Sequence, residues 1–271
     1  MKNLPEGFGR HVEETIEDAR QIEGHLTLKE IRFLCLLATV PTTTGEILEI
    51  GSFKGKSTIV LAKSVKFIGG NSVIAVDPMT LPAATDPTTD STSSLNSEFQ
   101  KNLCDHNVDS IVEFYQMFSQ DLARTWSRKL KLLWIDGDHT YLGTKRDFET
   151  FFPFLNSGAI VAFHDVLHGF EGPVRVMAEH ILLSDQFGAC GVCGSIGWSQ
   201  YLGKSRETQV YWESKLRLYK RLIRLVPHGA LHRKIKGLER HIYKLKRALI
   251  PHGEVNPTRW IENVKFFDIN N

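Results

Sequence analysis

Apolar positions along the chain follow two periods, and the change of period divides it. Residues 11–23 and 27–39 read as helices. In the second, Leu28, Ile31, Cys35 and Ala38 recur at spacings of three and four and share one face. Pro41 ends it, and Thr42-Thr43-Thr44-Gly45 is a loop. Ile47-Leu48-Glu49-Ile50 is then a short apolar run broken by one acid and closed by Gly51, which predicts a buried strand. Residues 56–67 read as a helix and 72–76 as a second strand ending at Asp77. Residues 78–97 are Pro, Thr, Ser, Ala and Asp with little apolar content, a long loop of the kind that is usually functional or mobile. Strand-like runs follow at 111–114, 132–135 and 159–163, with helical stretches near 119–127 and 143–155 between them and another at 173–184. Strands alternating with helices predict an α/β, doubly wound, parallel sheet with right-handed crossovers. Runs at 187–192 and 195–202, separated by Cys193-Gly194, predict a terminal antiparallel hairpin that completes a mostly parallel seven-stranded sheet.

The end of the chain is helical again. Trp212, Leu216, Tyr219, Ile223 and Val226 step by four and three. After Pro227-His228-Gly229, Leu231, Ile235, Leu238, Ile242, Leu245 and Leu249 do the same. Three regions result: an N-terminal helical cap (1–44), a central α/β domain (45–203) and a C-terminal helical extension (204–271). The chain of 271 residues has a net charge of only +2, but residues 205–250 hold 13 Lys/Arg against 3 Asp/Glu. That segment carries +10 and the remainder −8. The asymmetry suggests an anionic partner for the tail. Three readings stand. The tail packs as a helical hairpin on the body or on a second subunit, giving a homo-oligomer. It rests on an anionic membrane surface. Or it holds a phosphorylated acceptor. No recognised nucleic-acid module is present. The apolar runs are too short to cross a bilayer, the N-terminus lacks the apolar core of a signal peptide, and four cysteines give no disulfide framework. The expected location is cytoplasmic, with a peripheral position at the inner membrane surface if the tail binds lipid.

Chemistry concentrates after the first strand, in Glu49-Ile50-Gly51-Ser52-Phe53-Lys54-Gly55. Glycines at a strand-to-helix turn let backbone approach a ligand, and the helix N-terminus offers free N–H groups. Gly55-Lys56-Ser57 mimics the end of a phosphate loop, but that motif needs four residues between its glycines and here there are three. The dinucleotide form fails too, because Phe53 stands where its second glycine belongs. Asp77, ending the next strand, is placed to accept from ribose hydroxyls. An acid, a glycine turn and a second acid suggest an adenosine ligand without a pyrophosphate.

These residues resemble class I S-adenosylmethionine-dependent methyltransferases, a Rossmann-like fold. The subgroup is similar to the catechol and macrocin O-methyltransferases (methyltransferase domain family 24), over roughly residues 45–203. Phe118-Ser119-Gln120-Asp121-Leu122 is similar to the segment that flanks adenine in catechol-type enzymes. Trp134-Ile135-Asp136-Gly137-Asp138-His139-Thr140-Tyr141 resembles the Asp-Gly-Asp-His stretch of the macrocin-like subgroup. Ser157-Gly158-Ala159-Ile160 through Phe163-His164-Asp165 resembles its turn, strand and terminal acid, with Ser157 and Ala159 replacing a proline and a glycine. The resemblance implies that Glu49, Gly51, Ser52, Gly55, Asp77, Ser119, Gln120 and Asp136 hold S-adenosylmethionine. It implies Asp138 or His139 as general base, and Asp136, His164 and Asp165 as ligands of a divalent cation such as Mg²⁺. Relatives typically supply two carboxylates where this chain has His164-Asp165, and an imidazole favours a transition metal or no metal at all.

The activity implied is O-methylation of a hydroxyl on a small molecule, sugar or glycolipid. Two rivals remain at this level: a nicotinamide-dependent oxidoreductase on a similar sheet, and a non-catalytic membrane or scaffold adaptor acting through the basic tail. Cys190-Gly191-Val192-Cys193 has redox spacing but lies in a glycine-rich turn rather than at a helix N-terminus.

Overall fold

A computed structural model describes residues 3–70, 72–80, 95–230 and 235–267. Most of the polar loop at 78–97, and Leu231 of the last apolar stripe, lie outside the described residues. Two helices open the chain, α1 (Phe8–Arg20) and α2 (Leu28–Thr39). Helix α2 starts on a capping box, in which Thr27 and Glu30 exchange hydrogen bonds between side chain and backbone.

The central sheet is assembled from β1 (Glu46–Ile50), β2 (Val73–Val76), β3 (Val112–Tyr115), β4 (Leu130–Ile135), β5 (Leu155–Phe163), β6 (Phe187–Cys193) and β7 (Ile196–Tyr201). Its order is β3-β2-β1-β4-β5-β7-β6. The first five strands are parallel, and β7 runs antiparallel to both β5 and β6. This is the doubly wound sheet with a terminal hairpin that the sequence predicts. The order reverses between β1 and β4, so the crevice beyond their carboxyl ends is the natural ligand position.

Helices α3 (Lys56–Phe67), α4 (Leu95–Asp105), α5 (Ser119–Ala123), α6 (Tyr141–Phe151) and α7 (Glu171–Val176) fill the crossovers, and α7 runs on as a π-helical turn over Met177–Leu182. Two apolar cores cover the sheet. Leu132 and Trp134 of β4 join the core of α1, α2 and α3, whereas Leu133 and Ile135 join the core of α6 and α7. Successive side chains of a strand point to opposite faces, so one strand with five apolar residues feeds both.

The C-terminal segment contributes α8 (Trp212–Leu222), α9 (Val226–Gly229), α10 (Gly237–Ala248) and α11 (Pro257–Asn263). Here the apolar stripes differ from expectation. On α8 the buried row is Lys215, Leu218 and Leu222, continued by Leu225, not Trp212, Leu216, Tyr219 and Ile223. The helix is apolar at two neighbouring rows, and spacing alone does not choose between them. Lys215 tolerates burial because its Nζ reaches the carbonyl oxygens of Ser184 and, at 2.8 Å, Phe187. On α10 the buried apolar residue is Tyr243, while the stripe expected to pack is exposed: Leu238 is 78%, Leu245 69% and Leu249 61% accessible. Among the described residues no helix is long and apolar enough to cross a membrane.

Candidate active site

The turn after β1 is held by backbone geometry. Gly51 has φ 88°, and a Cβ there would lie 2.3 Å from the carbonyl oxygen of Asp136. Only glycine fits this approach of β1 to the end of β4. Phe53 also has positive φ, at 47°, and Gly55, at 90°, precedes α3. Strained backbone of this kind clusters at ligand sites.

The two acids around the turn serve different ends. Asp77 Oδ2 accepts from the backbone N–H groups of Ser52 at 2.8 Å and Phe53 at 3.0 Å. Its Oδ1 accepts from Met79 N–H at 2.7 Å. Glu49 is fully buried and accepts from the hydroxyls of Ser52, Ser57 and Thr58. Burial pushes its carboxyl up to about 7, against the pull of those hydroxyl bonds. Glu49 therefore braces the turn from within.

A cavity of about 850 Å³ opens beside the turn. That volume suits a cofactor with a small acceptor. Gly51, Ser52, Asp77, Ser119, Gln120, Asp136, Asp138, His139, His164 and Asp165 all line it. Glu49 and Gly55 are not among its lining residues. Sequence reasoning missed several others, including Asp147, Lys56, His168 and Phe170. Asp147 accepts a 2.5 Å hydrogen bond from Ser119 Oγ, and burial pushes its carboxyl up to about 6. Its signal was legible: Thr144, Asp147 and Phe151 recur at helical spacing on the buried side of α6, and an acid in such a row needs a reason.

Opposite the turn lies a cluster of acids and imidazoles at the ends of β4 and β5. Asp136 and His164 are tied to neighbouring strands through their backbone N–H groups, bonded to the carbonyls of Ile50 and Ile135. Asp165 has φ 59°, a left-handed conformation that turns the chain out of β5. His164 Nδ1 lies 3.1 Å from Asp136 Oδ1 and 3.3 Å from Asp165 Oδ1. Its Nε2 lies 3.9 Å from Glu30 Oε2, an acid of α2 outside the sequence motifs. Glu30 itself accepts from Ser195 Oγ and from Thr27.

His139 Nε2 lies 3.3 Å from Asp165 Oδ2 and 3.6 Å from Asp136 Oδ1. Its ring stacks on Phe170 at 4.4 Å, and neither ring nitrogen has a hydrogen-bond partner. Asp138 is exposed, and its Oδ1 accepts from Thr140 N–H at 2.8 Å. Thr140 caps α6, its side chain accepting from Gly143 N–H.

The charges oppose one another. Burial disfavours every ionised group here, but the paired charges prevail. His164 is raised well above the ordinary imidazole value and His139 is raised, both by the facing carboxylates. Asp136 and Asp165 are lowered by the facing charges of His164 and His139, and Asp165 also by its hydrogen bond with His168. Asp136, His139 and Asp165 each offer one ligand atom, all within 4.8 Å of one another. Cys190 and Cys193 lie together on β6, where burial raises their thiols to about 12 and about 11. That shift disfavours the thiolate that redox exchange needs, and the pair lies on a strand rather than at a helix N-terminus.

Residues 48–166 match the family model Methyltransf_24, a methyltransferase domain. The match runs from β1 to just past the end of β5, the part of the chain that carries the glycine turn and the acid–imidazole cluster. A curated relative, the uncharacterized protein R132 of Acanthamoeba polyphaga mimivirus, is 26% identical over 123 residues. That match spans 43% of this chain and only 49% of the relative, so the chain matches about half the length of the viral protein. Solved structures share the fold. An O-methyltransferase from Bacillus cereus in complex with SAH has a TM-score of 0.50 at 18% identity, covering 70% of this chain and 90% of that one. TomG from Streptomyces achromogenes, an O-methyltransferase involved in tomaymycin synthesis and solved with SAM, has a TM-score of 0.50 at 17% identity, covering 71% and 90%.

Proposed function

We propose that this protein transfers a methyl group from S-adenosylmethionine to a hydroxyl of a small molecule, sugar or glycolipid. One observation carries the reading: a single cavity joins the Gly51–Asp77 turn and the Ser119-Gln120 segment to the Asp136–His139–Asp165 cluster. The first two suit an adenosine and the third suits a hydroxyl being deprotonated. Phe53 in the turn disfavours the pyrophosphate that a nicotinamide cofactor would bring.

In this reading the residual acceptor capacity of Asp77 meets the ribose hydroxyls. Ser119 and Gln120 flank the adenine, and Asp147 fixes the Ser119 hydroxyl. Methyl transfer is one in-line displacement. The acceptor oxygen forms its bond to the methyl carbon as the carbon–sulfur bond breaks, and the electron pair returns to sulfur. The acceptor's proton goes to His139 or Asp138. His139 is the better placed of the two, because it is enclosed between Phe170 and Asp165 whereas Asp138 is exposed.

The cluster also fits a divalent cation. Two carboxylates and an imidazole with no hydrogen-bond partner converge, and Asp136, His139 and Asp165 would hold the ion, in which case the acceptor's proton would pass to Asp138 instead. Such a cation would lower the pKa of the acceptor hydroxyl and orient it. A mixed oxygen and nitrogen set favours Mn²⁺ or another transition ion over Mg²⁺. His164, the histidine of the sequence motif, is engaged with Asp136 and faces Glu30, and it holds Asp136 in place.

The test is mass-spectrometric detection of transfer from methyl-labelled S-adenosylmethionine to a panel of hydroxylated acceptors. Label on oxygen, lost in His139→Gln, is the expected result. Consumption of reduced nicotinamide with no methyl transfer would overturn the reading.

A further inference from the structure

Helix α10 presents an apolar row to solvent. Leu238, Ile242, Leu245 and Leu249 step by four, three and four, and are 78%, 39%, 69% and 61% accessible. A row of large aliphatic side chains at helical spacing is not random surface; it needs a cover. Tyr243 anchors the helix the other way, buried beside Gly169.

What covers the row follows from charge. Arg240 and Lys244 lie exposed on the same helix, and α8 alongside exposes Arg217, Lys220 and Arg221. The two helices belong to the segment that carries +10. A second copy of the chain would bring another +10 against it, so self-association through this face is opposed by repulsion. Nucleic acid would satisfy the cations and leave the leucines wet. An anionic bilayer satisfies both, because aliphatic side chains enter the acyl boundary while Lys and Arg stay at the headgroups.

We infer that the exposed face of α10 docks the protein on an anionic lipid surface. The docking helix reaches the edge of the cavity through Tyr243, which lies beside Gly169, the neighbour of Phe170, and Phe170 lines the cavity as the ring on which His139 stacks. The enzyme's cavity is thus built next to the surface that meets the bilayer. The inference stands independently of the methyl-transfer chemistry.

Cosedimentation of the full chain with vesicles tests it. Vesicles of mixed phosphatidylglycerol and phosphatidylcholine should pellet the protein, and phosphatidylcholine alone should not. Raised salt should weaken binding. Leu245→Glu with Leu249→Glu should lower partitioning at least about tenfold. Both positions are exposed, so the fold should survive, and an unchanged circular dichroism melt checks this. Lys244→Glu should weaken binding to the anionic vesicles less. Wild-type protein that stays in the supernatant overturns the inference. So does a Leu245→Glu, Leu249→Glu variant that binds as well as wild type. A concentration-dependent dimer in sedimentation velocity, abolished by the same variant, would assign the face to a second copy instead.

Discussion

His139 Nε2 stands 3.3 Å from Asp165 Oδ2, with its ring stacked on Phe170 and no hydrogen-bond partner on either nitrogen. The pair joins the end of β5 to the loop after β4, and in the proposed mechanism it gives the site a base that a carboxylate can stabilise as its imidazolium. Removing the ring while keeping the cavity should cost chemistry and not cofactor binding. His139→Gln should lower kcat by about 10²- to 10⁴-fold, with S-adenosylmethionine affinity within about threefold of wild type. Steady-state kinetics and calorimetry on the same preparation check this. Full activity in His139→Gln would move the role of base to Asp138.

The proposed cation site makes a separate prediction. Calorimetry should show Mn²⁺ binding more tightly than Mg²⁺, because an imidazole shares the site with two carboxylates. Asp165→Asn should weaken Mn²⁺ about tenfold or more. Equal heats for wild type and Asp165→Asn would remove Asp165 from any cation site.

Asp147 gives a pH signature. Burial raises its folded-state carboxyl to about 6, from an ordinary value of 3.8. The folded protein therefore holds this proton more tightly than the unfolded chain. The contribution is fully present below about pH 4 and is lost as pH rises through about 6. Asp147→Asn removes that dependence. Urea melts between pH 4 and 7 should show wild type losing stability relative to the variant as pH rises. Parallel curves would contradict it.

Gly51 tests the turn by sterics. A Cβ would meet the carbonyl oxygen of Asp136 at 2.3 Å, on a backbone at φ 88°. Gly51→Ala should destabilise by about 3 kcal/mol and abolish cofactor binding. Gly253→Ala, where nothing lies within 4 Å, should be neutral in the same thermal melts.

Much of this was legible from residue order. The alternation of strands and helices gave the sheet, whose order reverses between β1 and β4. The polar residues at the ends of β4 and β5 were legible because ligands gather there. Three features were not. Glu30 reaches His164 from α2, far away in sequence, and only tertiary packing brings it there. Spacing marked α8 as amphipathic but not which of two adjacent rows is buried, since Lys215 takes a buried place by finding two carbonyls. The row on α10 has the period of a packing face, yet periodicity does not name the partner, and the described chain leaves it exposed.

The most direct test is calorimetric titration of S-adenosylmethionine into the wild-type chain and Asp77→Ala. Asp77 holds the Ser52–Phe53 turn through two backbone N–H groups and faces the cavity. The account predicts binding in the micromolar range, about −8 kcal/mol, weakened at least about tenfold in Asp77→Ala. Absence of binding heat in the wild type, with no shift of Tm on adding the cofactor, would contradict it.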